Sequence, residues 1–445
     1  MSKSIPYDDT NPNEIEAYAK RLLGKCLRSF LAIEDIKEIK KSNIPKGGVG
    51  HVVEKYYFHY EPNSRPEPDF VKAGVELKTT PLKRLKNGEL RPKERLVLNM
   101  INFMELINED WKSSSFLKKN NLLLLMMFLY EQDVYFIDYI FKLIALWRWP
   151  KKDLKIIKDD WEKIKAKVIA GKAHELSESD TFYLGACTKG IDSTKRKKQP
   201  NSSTLAKPRA FSLKPTYLRS LIDREIAGDR ESLKDFYKSE DAFEDFVVKK
   251  FKPFLGRNIK EINKKLGFPL NEKSKAYAVE VAKGILGVHR KKKIAEFEKA
   301  DVKLKVIRLR KNGTPKEDIS FPTFKYKEIV SEKWEESKAL EKIDRKFFFV
   351  IFQFDDDKLI LKKVMFWNMP RKDLKEVKKV WMETVKRIKK GKAATLPKKS
   401  ENRVSHVRPH ARNAKDTYET PQGKQVVKKC FWLNALYLKS QIEKH

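Results

Sequence analysis

Residues 68–79 read Pro-Asp-Phe-Val-Lys-Ala-Gly-Val-Glu-Leu-Lys-Thr and place two carboxylates and an amine within a short stretch. Residues 75–79 are predicted to form a β-strand. Residues two apart in a strand point to the same face, so Glu76 and Lys78 project together. Asp69 precedes that strand and can return to it across a turn. Two carboxylates that converge beside one amine predict a site for a hard cation with a lysine next to it.

Hydrolysis of a phosphodiester is the chemistry that such a group supports. Mg²⁺ held by Asp69 and Glu76 polarises the phosphodiester and lowers the pKa of a coordinated water, while Lys78 orients that water or stabilises charge on the phosphate. The bare string also fits a strand whose Glu76 and Lys78 form a solvated ion pair, and alone it favours that interpretation. The surrounding sequence reverses the preference.

The chain repeats itself at a nearly constant spacing, which predicts two tandem domains. Five first-half residues recur 220 positions later: Trp147, Pro150, Trp161, Gly171 and Tyr217 become Trp367, Pro370, Trp381, Gly391 and Tyr437. Around the carboxylates the spacing is 227. We predict a catalytic domain over residues 1–223, a linker over 224–233, and a degenerate DNA-binding domain over 234–445.

Each half is predicted to contain the same order of elements. A helix opens each half (14–23; 242–251), two strands follow (75–79 and 122–129; 302–309 and 347–354), and an amphipathic helix comes next (152–170; 372–390). A last helix is predicted over residues 211–222 and its counterpart. Strands interleaved with helices predict an α/β fold, with a mixed central sheet flanked by helices in each half.

The second half lacks the acidic residues of the first. The spacing of 227 puts Glu296 in place of Asp69, Lys303 in place of Glu76 and Lys305 in place of Lys78, while Glu54 falls on Val281. A lysine in place of the main metal ligand cannot hold Mg²⁺. The second copy is therefore predicted to be catalytically inactive but, being basic, to bind DNA.

Overall charge points to a polyanionic partner. The chain has 97 Lys and Arg against 61 Asp and Glu, a formal charge of +36 and a pI near 9.7, which favours nucleic acid; a ribosome-associated protein is the alternative. The three cysteines form no CxxC pair, which argues against a zinc ribbon and a disulfide scaffold. The polar N-terminal stretch and the shortness of the apolar stretch 122–130 predict a soluble protein of the bacterial cytoplasm.

A family resemblance favours a catalytic metal site over a solvated ion pair at Glu76 and Lys78. Residues 46–50 (Lys-Gly-Gly-Val-Gly), Glu54 and residues 68–79 together resemble the catalytic segment of the MutH family. That family contains the GATC-nicking endonuclease of mismatch repair and the Sau-type restriction endonucleases that cut at GATC. The resemblance covers most of residues 14–223, and a weaker one covers the second half.

The resemblance implies a restriction-endonuclease-like PD-(D/E)xK fold. It implies that Asp69, Glu76 and Lys78 form the catalytic triad, that Glu54 is a further acidic residue of the site, and that Lys46 lies near DNA. Single-domain MutH is about half this length, whereas tandem active and inactive copies resemble the Sau-type enzymes. The length therefore favours restriction over repair.

A late loop in each half resembles the family's base-reading loop. In the second half it runs over residues 408–415, where Arg408 suits guanine and Asn413 suits adenine. At a spacing of 220, Cys187 corresponds to residue 407, so Thr188, Lys189 and Gly190 are the first-half candidates for DNA contact. A basic loop that touches only phosphates is the alternative.

Two acidic or histidine groups are interpreted as structural. Residues 355–357, three consecutive aspartates, are predicted to cap a turn. His406 and His410 are four apart, but Pro409 disrupts the helix that would align them as metal ligands.

We therefore predict a type II restriction endonuclease that acts on double-stranded DNA containing GATC, with Mg²⁺ as cofactor. One active site per chain implies either a homodimer on DNA or two successive nicks, and the second half could hold a second DNA site with an allosteric role. Two rival hypotheses remain: a methyl-directed nicking endonuclease of mismatch repair, and a non-catalytic DNA-binding regulator. Retention of all three catalytic residues in one copy argues against the regulator.

Overall fold

The computed structural model describes residues 5–42, 48–62, 66–85, 88–189, 195–223, 230–233, 236–239, 241–267, 270–289 and 292–445. The chain divides into two compact units, the first within residues 1–228 (with 298–300) and the second within residues 229–445. Both units are mixtures of helices and strands. No helix in the described ranges has the length and apolar character needed to cross a membrane.

The helices and strands of the first unit alternate along the chain. Its helices are α1 (Pro12–Lys20), α2 (Ile33–Lys41), α3 (Val49–Val52, continued as a π-turn over Val53–Tyr57), α4 (Phe103–Leu106), α5 (Ser115–Asn120), α6 (Lys151–Ile169) and α7 (Pro215–Ile222). Its strands are β1 (Glu76–Arg84), β2 (Leu90–Pro92), β3 (Leu96–Met100), β4 (Leu122–Leu129), β5 (Phe141–Arg148), β6 (Leu184–Thr188), β7 (Lys197–Gln199), β8 (Ser202–Ala206) and β9 (Arg209–Leu213).

A mixed sheet in the order β2-β1-β4-β5 forms the centre of the first unit. Strand β4, Leu-Leu-Leu-Leu-Met-Met-Phe-Leu, is buried along its whole length, as expected for a central strand covered on both faces. It pairs parallel with β1 and antiparallel with β5. Strands β3, β9 and β6 form a second, antiparallel sheet.

The second unit follows a similar order. Its helices are α8 (Phe243–Phe251), α9 (Ile259–Leu266), α10 (Tyr277–Ile285), α11 (Ala295–Ala300), α12 (Tyr326–Ile329), α13 (Lys338–Ile343), α14 (Arg371–Lys389) and α15 (Ala435–Lys444). Its strands are β10 (Arg230–Glu231), β11 (Lys293–Ile294), β12 (Lys303–Leu309), β13 (Ile319–Ser320), β14 (Phe347–Asp355), β15 (Lys358–Trp367), β16 (Ser405–Pro409), β17 (Thr417–Glu419), β18 (Gln425–Val427) and β19 (Lys429–Leu433). A mixed sheet β12-β14-β15 lies at its centre, and β13-β19-β16 form the antiparallel sheet.

A buried tyrosine–aspartate hydrogen bond recurs in both units. The Tyr217 hydroxyl donates to Asp153 at 3.0 Å in the first, and the Tyr437 hydroxyl donates to Asp373 at 3.1 Å in the second. In each unit the bond ties the long amphipathic helix to the last helix. The spacing of 220 residues seen in the sequence therefore joins positions that make the same contact.

The predicted helix over residues 211–222 is wrong in its first part. Residues Arg209–Leu213 form β9, fully buried in the antiparallel sheet, and the helix begins only at Pro215. Proline at the first helical position needs no backbone N–H partner and disfavours helical geometry in the residue before it. Chain direction therefore changes at Lys214, and the same boundary separates β19 from α15 in the second unit.

The three aspartates form a turn, as predicted. Asp355 ends β14 and pairs with Lys358, Asp356 and Asp357 make the tight connection to β15, and Asp356 adopts a positive φ of 52°. Aspartate tolerates this left-handed conformation better than most side chains, because its short polar group can hydrogen-bond locally.

Candidate active site

Glu76 and Lys78 lie together at the start of β1. Glu76 is 2% exposed, and its Oε1 is 2.5 Å from the Lys78 Nζ. Asp69 joins them because Phe70 and Val75 pair backbone to backbone and close the intervening turn. The Asp69 backbone N–H donates to Glu76 Oε2 at 3.1 Å, and Asp69 Oδ2 accepts from the Leu77 N–H at 2.9 Å. The structure therefore brings the three predicted residues into one cluster.

Glu54 enters the same cluster from the π-turn that follows α3. Burial raises the pKa of its carboxyl, and the negative charges of Asp69 and Glu76 lie close enough to raise that pKa further. Gly50 permits this approach, since a Cβ at that position would stand 3.1 Å from Thr79 Oγ1 and 4.0 Å from Glu54 Oε1. Gly50, the last residue of the 46–50 segment, thus allows α3 to pack against β1.

Two further residues of the cluster were not predicted from the sequence. The Lys119 Nζ lies 3.7 Å from Glu76 Oε1, and its side chain is 12% exposed. Within the described residues, no hydrogen-bond partner faces the buried hydroxyl of Tyr60, whose pKa is raised by burial and then by Asp69, Glu54 and Glu76. Both belong to the site by position, although they lie in segments without a recognisable motif.

The acidic residues of the cluster lie close to one another and are buried or partly buried. Burial raises the pKa of Glu76 to about 7 and also raises that of Glu54 to about 7, where the charge of Asp69 adds to the effect. Both effects disfavour the charged carboxylates unless a cation balances them. Lys78 and Lys119 supply part of that balance.

A hard divalent cation fits these donors. Carboxylate oxygens are the ligands that such ions prefer, and the unpartnered Tyr60 hydroxyl adds a further oxygen beside them. In the described ranges, however, no three acidic, histidine or cysteine side chains already stand at the spacing of a metal ion. Glu76 is instead engaged by Lys78 through Oε1 and by the Asp69 N–H through Oε2. Each carboxylate oxygen has two lone pairs, so Glu76 could hold a metal ion while it still accepts from Lys78 and from the Asp69 N–H.

The raised pKa of Glu54 predicts a pH-dependent cost in stability. With a folded pKa of about 7 and an ordinary value of 4.5, this carboxyl destabilises the fold increasingly as pH rises between those values and fully above them. Glu54→Gln removes the titration. In EDTA we expect the melting temperature of the variant to exceed that of the parent by more at pH 8 than at pH 5.

Thermal melting at the two pH values measures this difference, and the exposed Glu131→Gln is the matched control. An advantage for Glu54→Gln that is equal at both pH values would contradict the assigned burial of a charge.

Strand register shows which residues of the second unit stand at the corresponding positions. In the first unit Leu123 pairs with Glu76 on one side and Trp147 on the other. In the second unit Phe347 pairs with Lys303 and Trp367. Lys303 therefore occupies the ladder position of Glu76, and by the same register Lys305 occupies that of Lys78.

Glu296, at the position of Asp69, is turned to a different partner. The Val302 N–H donates to the Phe297 carbonyl at 2.9 Å, as the Val75 N–H does to Phe70 in the first unit. The buried Glu296 accepts from the Leu233 N–H at 3.0 Å. Val281, onto which Glu54 was carried, is buried on α10. The second unit therefore has a lysine at the position of Glu76 and a valine at that of Glu54, while the acid at the position of Asp69 bonds elsewhere.

Arg408 in the second unit lies on the rim of an open cavity of about 580 Å³, whose lining includes Asn413 and Trp432. Its guanidinium carbon stands 3.8 Å from the centre of the Trp432 ring, and its Nη1 is 3.3 Å from Asp318 Oδ2. Stacking on the ring and ion pairing with the carboxylate fix the orientation of the guanidinium group. Asp318 itself is 6% exposed and accepts from the Ala435 N–H at 2.7 Å. Sequence reasoning missed both Trp432 and Asp318.

The proposed correspondence between the two late loops is wrong by one residue. Arg408 pairs with Cys430 in β19, whereas Cys187 pairs with Ala210 in β9, and residues 210 and 430 are equivalent at the spacing of 220. Cys187 therefore corresponds to Arg408 and not to residue 407. The loop between the long helix and this strand is one residue longer in the second unit, which shifts the strand by one position.

The first-unit loop has two of its predicted DNA contacts, Thr188 and Lys189, among the described residues. Thr188 is exposed at the end of β6, and the Lys189 N–H donates to the Pro208 carbonyl at 2.8 Å. Lys46 and Gly190, the other predicted DNA contacts, lie outside the described residues. Thr188 and Lys189 are placed at the same strand end as Arg408 in the other unit.

His406 is a structural residue, as predicted. It is buried in β16 and shares a 2.6 Å hydrogen bond between its Nδ1 and Asn434 Oδ1. Burial lowers the pKa of His406. His410 instead lines the Arg408 cavity.

Known proteins similar to this chain are DNA endonucleases and mismatch repair proteins. A family model described as DNA mismatch repair enzyme MutH matches residues 58–160 and 289–379. The type II restriction enzyme Sau3AI of Staphylococcus aureus is 33% identical across an alignment that covers 96% of this chain and 97% of that enzyme. The DNA mismatch repair protein MutH of Shewanella woodyi is 30% identical and covers 50% of this chain, and MutH of Shewanella baltica is 24% identical. The restriction enzyme thus aligns along both units.

Proposed function

This chain belongs to the family of DNA endonucleases that includes the type II restriction enzyme Sau3AI and the mismatch repair protein MutH, and on that premise we propose that it is a type II restriction endonuclease that hydrolyses double-stranded DNA at GATC sites. The observation that carries the proposal is the cluster of Asp69, Glu76 and Lys78, joined by Glu54, with Glu76 buried at its centre. An acidic cluster with two lysines suits phosphodiester hydrolysis.

Both units are proposed to be copies of one PD-(D/E)xK fold. The first, residues 1–223, is catalytic, and the second, residues 234–445, binds DNA without cutting it; residues 224–233 link them. The shared parallel strand pair and the shared tyrosine–aspartate bond support the duplication. Lys303 at the position of Glu76 supports the loss of activity in the second copy.

Mg²⁺ is the proposed cofactor, held by Asp69 and Glu76 with Glu54 as a further acidic residue. When bound, the ion lowers the pKa of a coordinated water and neutralises charge on the phosphodiester. Lys78 then has two tasks at the site. Its amine balances the buried carboxylate of Glu76 before the ion binds, and it stabilises developing negative charge on the phosphate during hydrolysis.

Restriction is favoured over methyl-directed repair by the extent of the similarity. Sau3AI aligns with 96% of the chain, whereas the MutH of Shewanella woodyi aligns with 50% of it. A repair nickase of the single-domain kind leaves the second unit without a role.

A single active site per chain also means that a double-strand break requires a homodimer on DNA or two successive nicks.

Digestion of defined duplexes tests the proposal. Duplexes with one GATC site, and matched duplexes with each base changed in turn, are incubated with the full chain and Mg²⁺, and the ends are mapped on both strands. We expect cleavage of both strands at GATC and none at the changed sites. Nicking of one strand only, or cleavage at unrelated sequences, would contradict a type II restriction activity.

Arg408 is proposed to read a base edge in the second unit. Stacking on Trp432 and the ion pair with Asp318 fix the orientation of its guanidinium. A planar donor that is already oriented suits guanine O6 and N7. Arg408→Ala should weaken binding to GATC by about 1–3 kcal/mol while leaving binding to a scrambled duplex nearly unchanged. Lys372→Ala, at an exposed position on α14, is the matched loss of one charge.

Fluorescence anisotropy at two salt concentrations checks this expectation in the full chain. Equal weakening on both duplexes, with a smaller salt dependence, would show that Arg408 contacts phosphate rather than a base.

A further inference from the structure

Three cations lie at one end of the parallel strand pair in the second unit. Lys303 opens β12, and Lys305 follows two residues later on the same face of the strand. Arg345 precedes β14, the parallel neighbour of β12, by two residues. Parallel strands begin at the same edge of a sheet, so the three side chains share that edge. We call Lys303, Lys305 and Arg345 the cationic cluster.

The charges of the cationic cluster are only partly balanced. Burial lowers the pKa of Lys305, and the positive charges of Lys303 and Arg345 lower it further, which shows that the three groups lie close together. Asp301 Oδ2 is 3.3 Å from Arg345 Nη2. Over the part of the chain that the structure describes, neither Lys303 nor Lys305 has an ion-pair partner, and the Arg345 Nε is buried without a hydrogen-bond acceptor.

An anion would satisfy this arrangement. Lys303 is exposed, but Lys305 is partly buried and the Arg345 side chain is only 15% exposed. Partly buried cations such as these two are costly unless a negative group meets them, and an unpaired guanidinium N–H needs an acceptor oxygen. Asp301 balances only one of the three positive charges. A phosphate group offers both the charge and several acceptor oxygens, and its geometry suits a guanidinium together with ammonium groups.

The position of the cationic cluster indicates that its anion is a phosphate of the DNA backbone. By strand register Lys303 and Lys305 stand where the first unit has Glu76 and Lys78. In the first unit a cation must mediate between the acids and the DNA backbone. In the second unit Lys303 reverses the charge of Glu76 and Lys305 keeps the charge of Lys78, so this end of the sheet is cationic and requires no metal.

We propose that the cationic cluster is a metal-independent binding site for a DNA backbone phosphate. The inference rests on the proposed DNA-binding role of the second unit and specifies how that unit holds the duplex. The degenerate active site is then a converted one, in which substitution of an acid by a lysine changed a site that cuts the backbone into one that binds it.

The test uses the full chain with Glu76→Gln, which prevents cleavage, in EDTA. Lys303→Gln/Lys305→Gln is compared with the parent in titrations of GATC and scrambled duplexes over a range of salt concentrations. We expect equal weakening on both duplexes, and the slope of log affinity against log salt should decrease by about 1 for each phosphate that the protein no longer neutralises. Photocrosslinking of the bound duplex reports whether residues 301–445 contact DNA at all.

Two further variants make the outcome specific. Lys303→Arg/Lys305→Arg retains the charge and should retain the salt slope, and Lys362→Gln/Lys379→Gln removes the same charge from exposed positions of the same unit. Circular dichroism melting confirms that each variant folds. A salt slope unchanged by Lys303→Gln/Lys305→Gln, with crosslinks in residues 301–445 intact, would overturn the cationic cluster alone. Absence of those crosslinks in the parent would overturn the DNA-binding role of the second unit as well.

Discussion

A Glu76→Gln chain is expected to bind a GATC duplex with nearly the affinity of the parent and to cleave it at least about 10²–10³-fold more slowly. The amide keeps the size of the side chain but removes the charge that holds a divalent cation. Glu76 is almost completely buried and accepts hydrogen bonds from both the Lys78 amine and the Asp69 N–H, so the substitution removes a charge from the centre of the acidic cluster.

Cleavage in Mg²⁺ and binding in Ca²⁺ should be measured in parallel for this variant. Ca²⁺ is expected to support binding by the parent without turnover, so that affinity and chemistry are read separately. Glu131→Gln, an exposed change in the same unit, controls for the loss of one negative charge. Cleavage by Glu76→Gln at the rate of the parent, or undiminished cleavage by the parent in EDTA, would refute the metal site.

The second large effect concerns the lysine beside that carboxylate. Lys78→Met is expected to lower kcat by about 10²–10³-fold while KM changes little, because a group that acts on transition-state charge contributes to rate rather than to ground-state binding. The Lys78 side chain is 16% exposed, and methionine fills similar space, so folding should persist.

Lys305→Met is the matched change in the second unit, since Lys305 holds the same ladder position in β12. Single-turnover cleavage at saturating protein separates the two roles. We expect Lys305→Met to cut at the parental rate once binding is saturated. A large rise in KM with kcat unchanged in Lys78→Met would assign Lys78 to DNA binding instead.

The core of the site could be predicted because its geometry is local. Alternation along a strand fixes the common face of Glu76 and Lys78, and a short turn closed by Phe70 and Val75 returns Asp69 to them. The repeat could also be read directly, since Trp161 packs against Trp111 as Trp381 packs against Trp334, and the two equivalent glycines both adopt a positive φ.

The rest depends on contacts between distant segments. Lys119 reaches Glu76 from the end of α5 because β4, which follows it, pairs parallel with β1. The sequence near Lys119 contains no motif that predicts its contact with Glu76. The one available signal was a lysine shortly before a fully buried strand. Trp432 and Asp318 meet Arg408 only through strand pairing in the antiparallel sheet.

Two errors have equally physical origins. The loop before β16 is one residue longer than the loop before β6, so Cys187 corresponds to Arg408 rather than to the residue 220 positions later. A constant spacing could not reveal this insertion. Residues 211–213 have the apolar character of either a buried strand or a buried helix. Pro215 resolves the ambiguity, because it favours a helix start at its own position.

Single-turnover cleavage of one GATC duplex by the full chain with Asp69→Asn, set beside the full chain with Glu296→Gln, tests most directly whether chemistry resides in the first unit alone. The two residues hold equivalent positions before their strands, and glutamine can still accept the Leu233 N–H that Glu296 accepts. We predict that Asp69→Asn loses cleavage and that Glu296→Gln cuts at the parental rate. Loss of cleavage in Glu296→Gln with binding intact, or its retention in Asp69→Asn, would contradict the division of labour proposed for the two units.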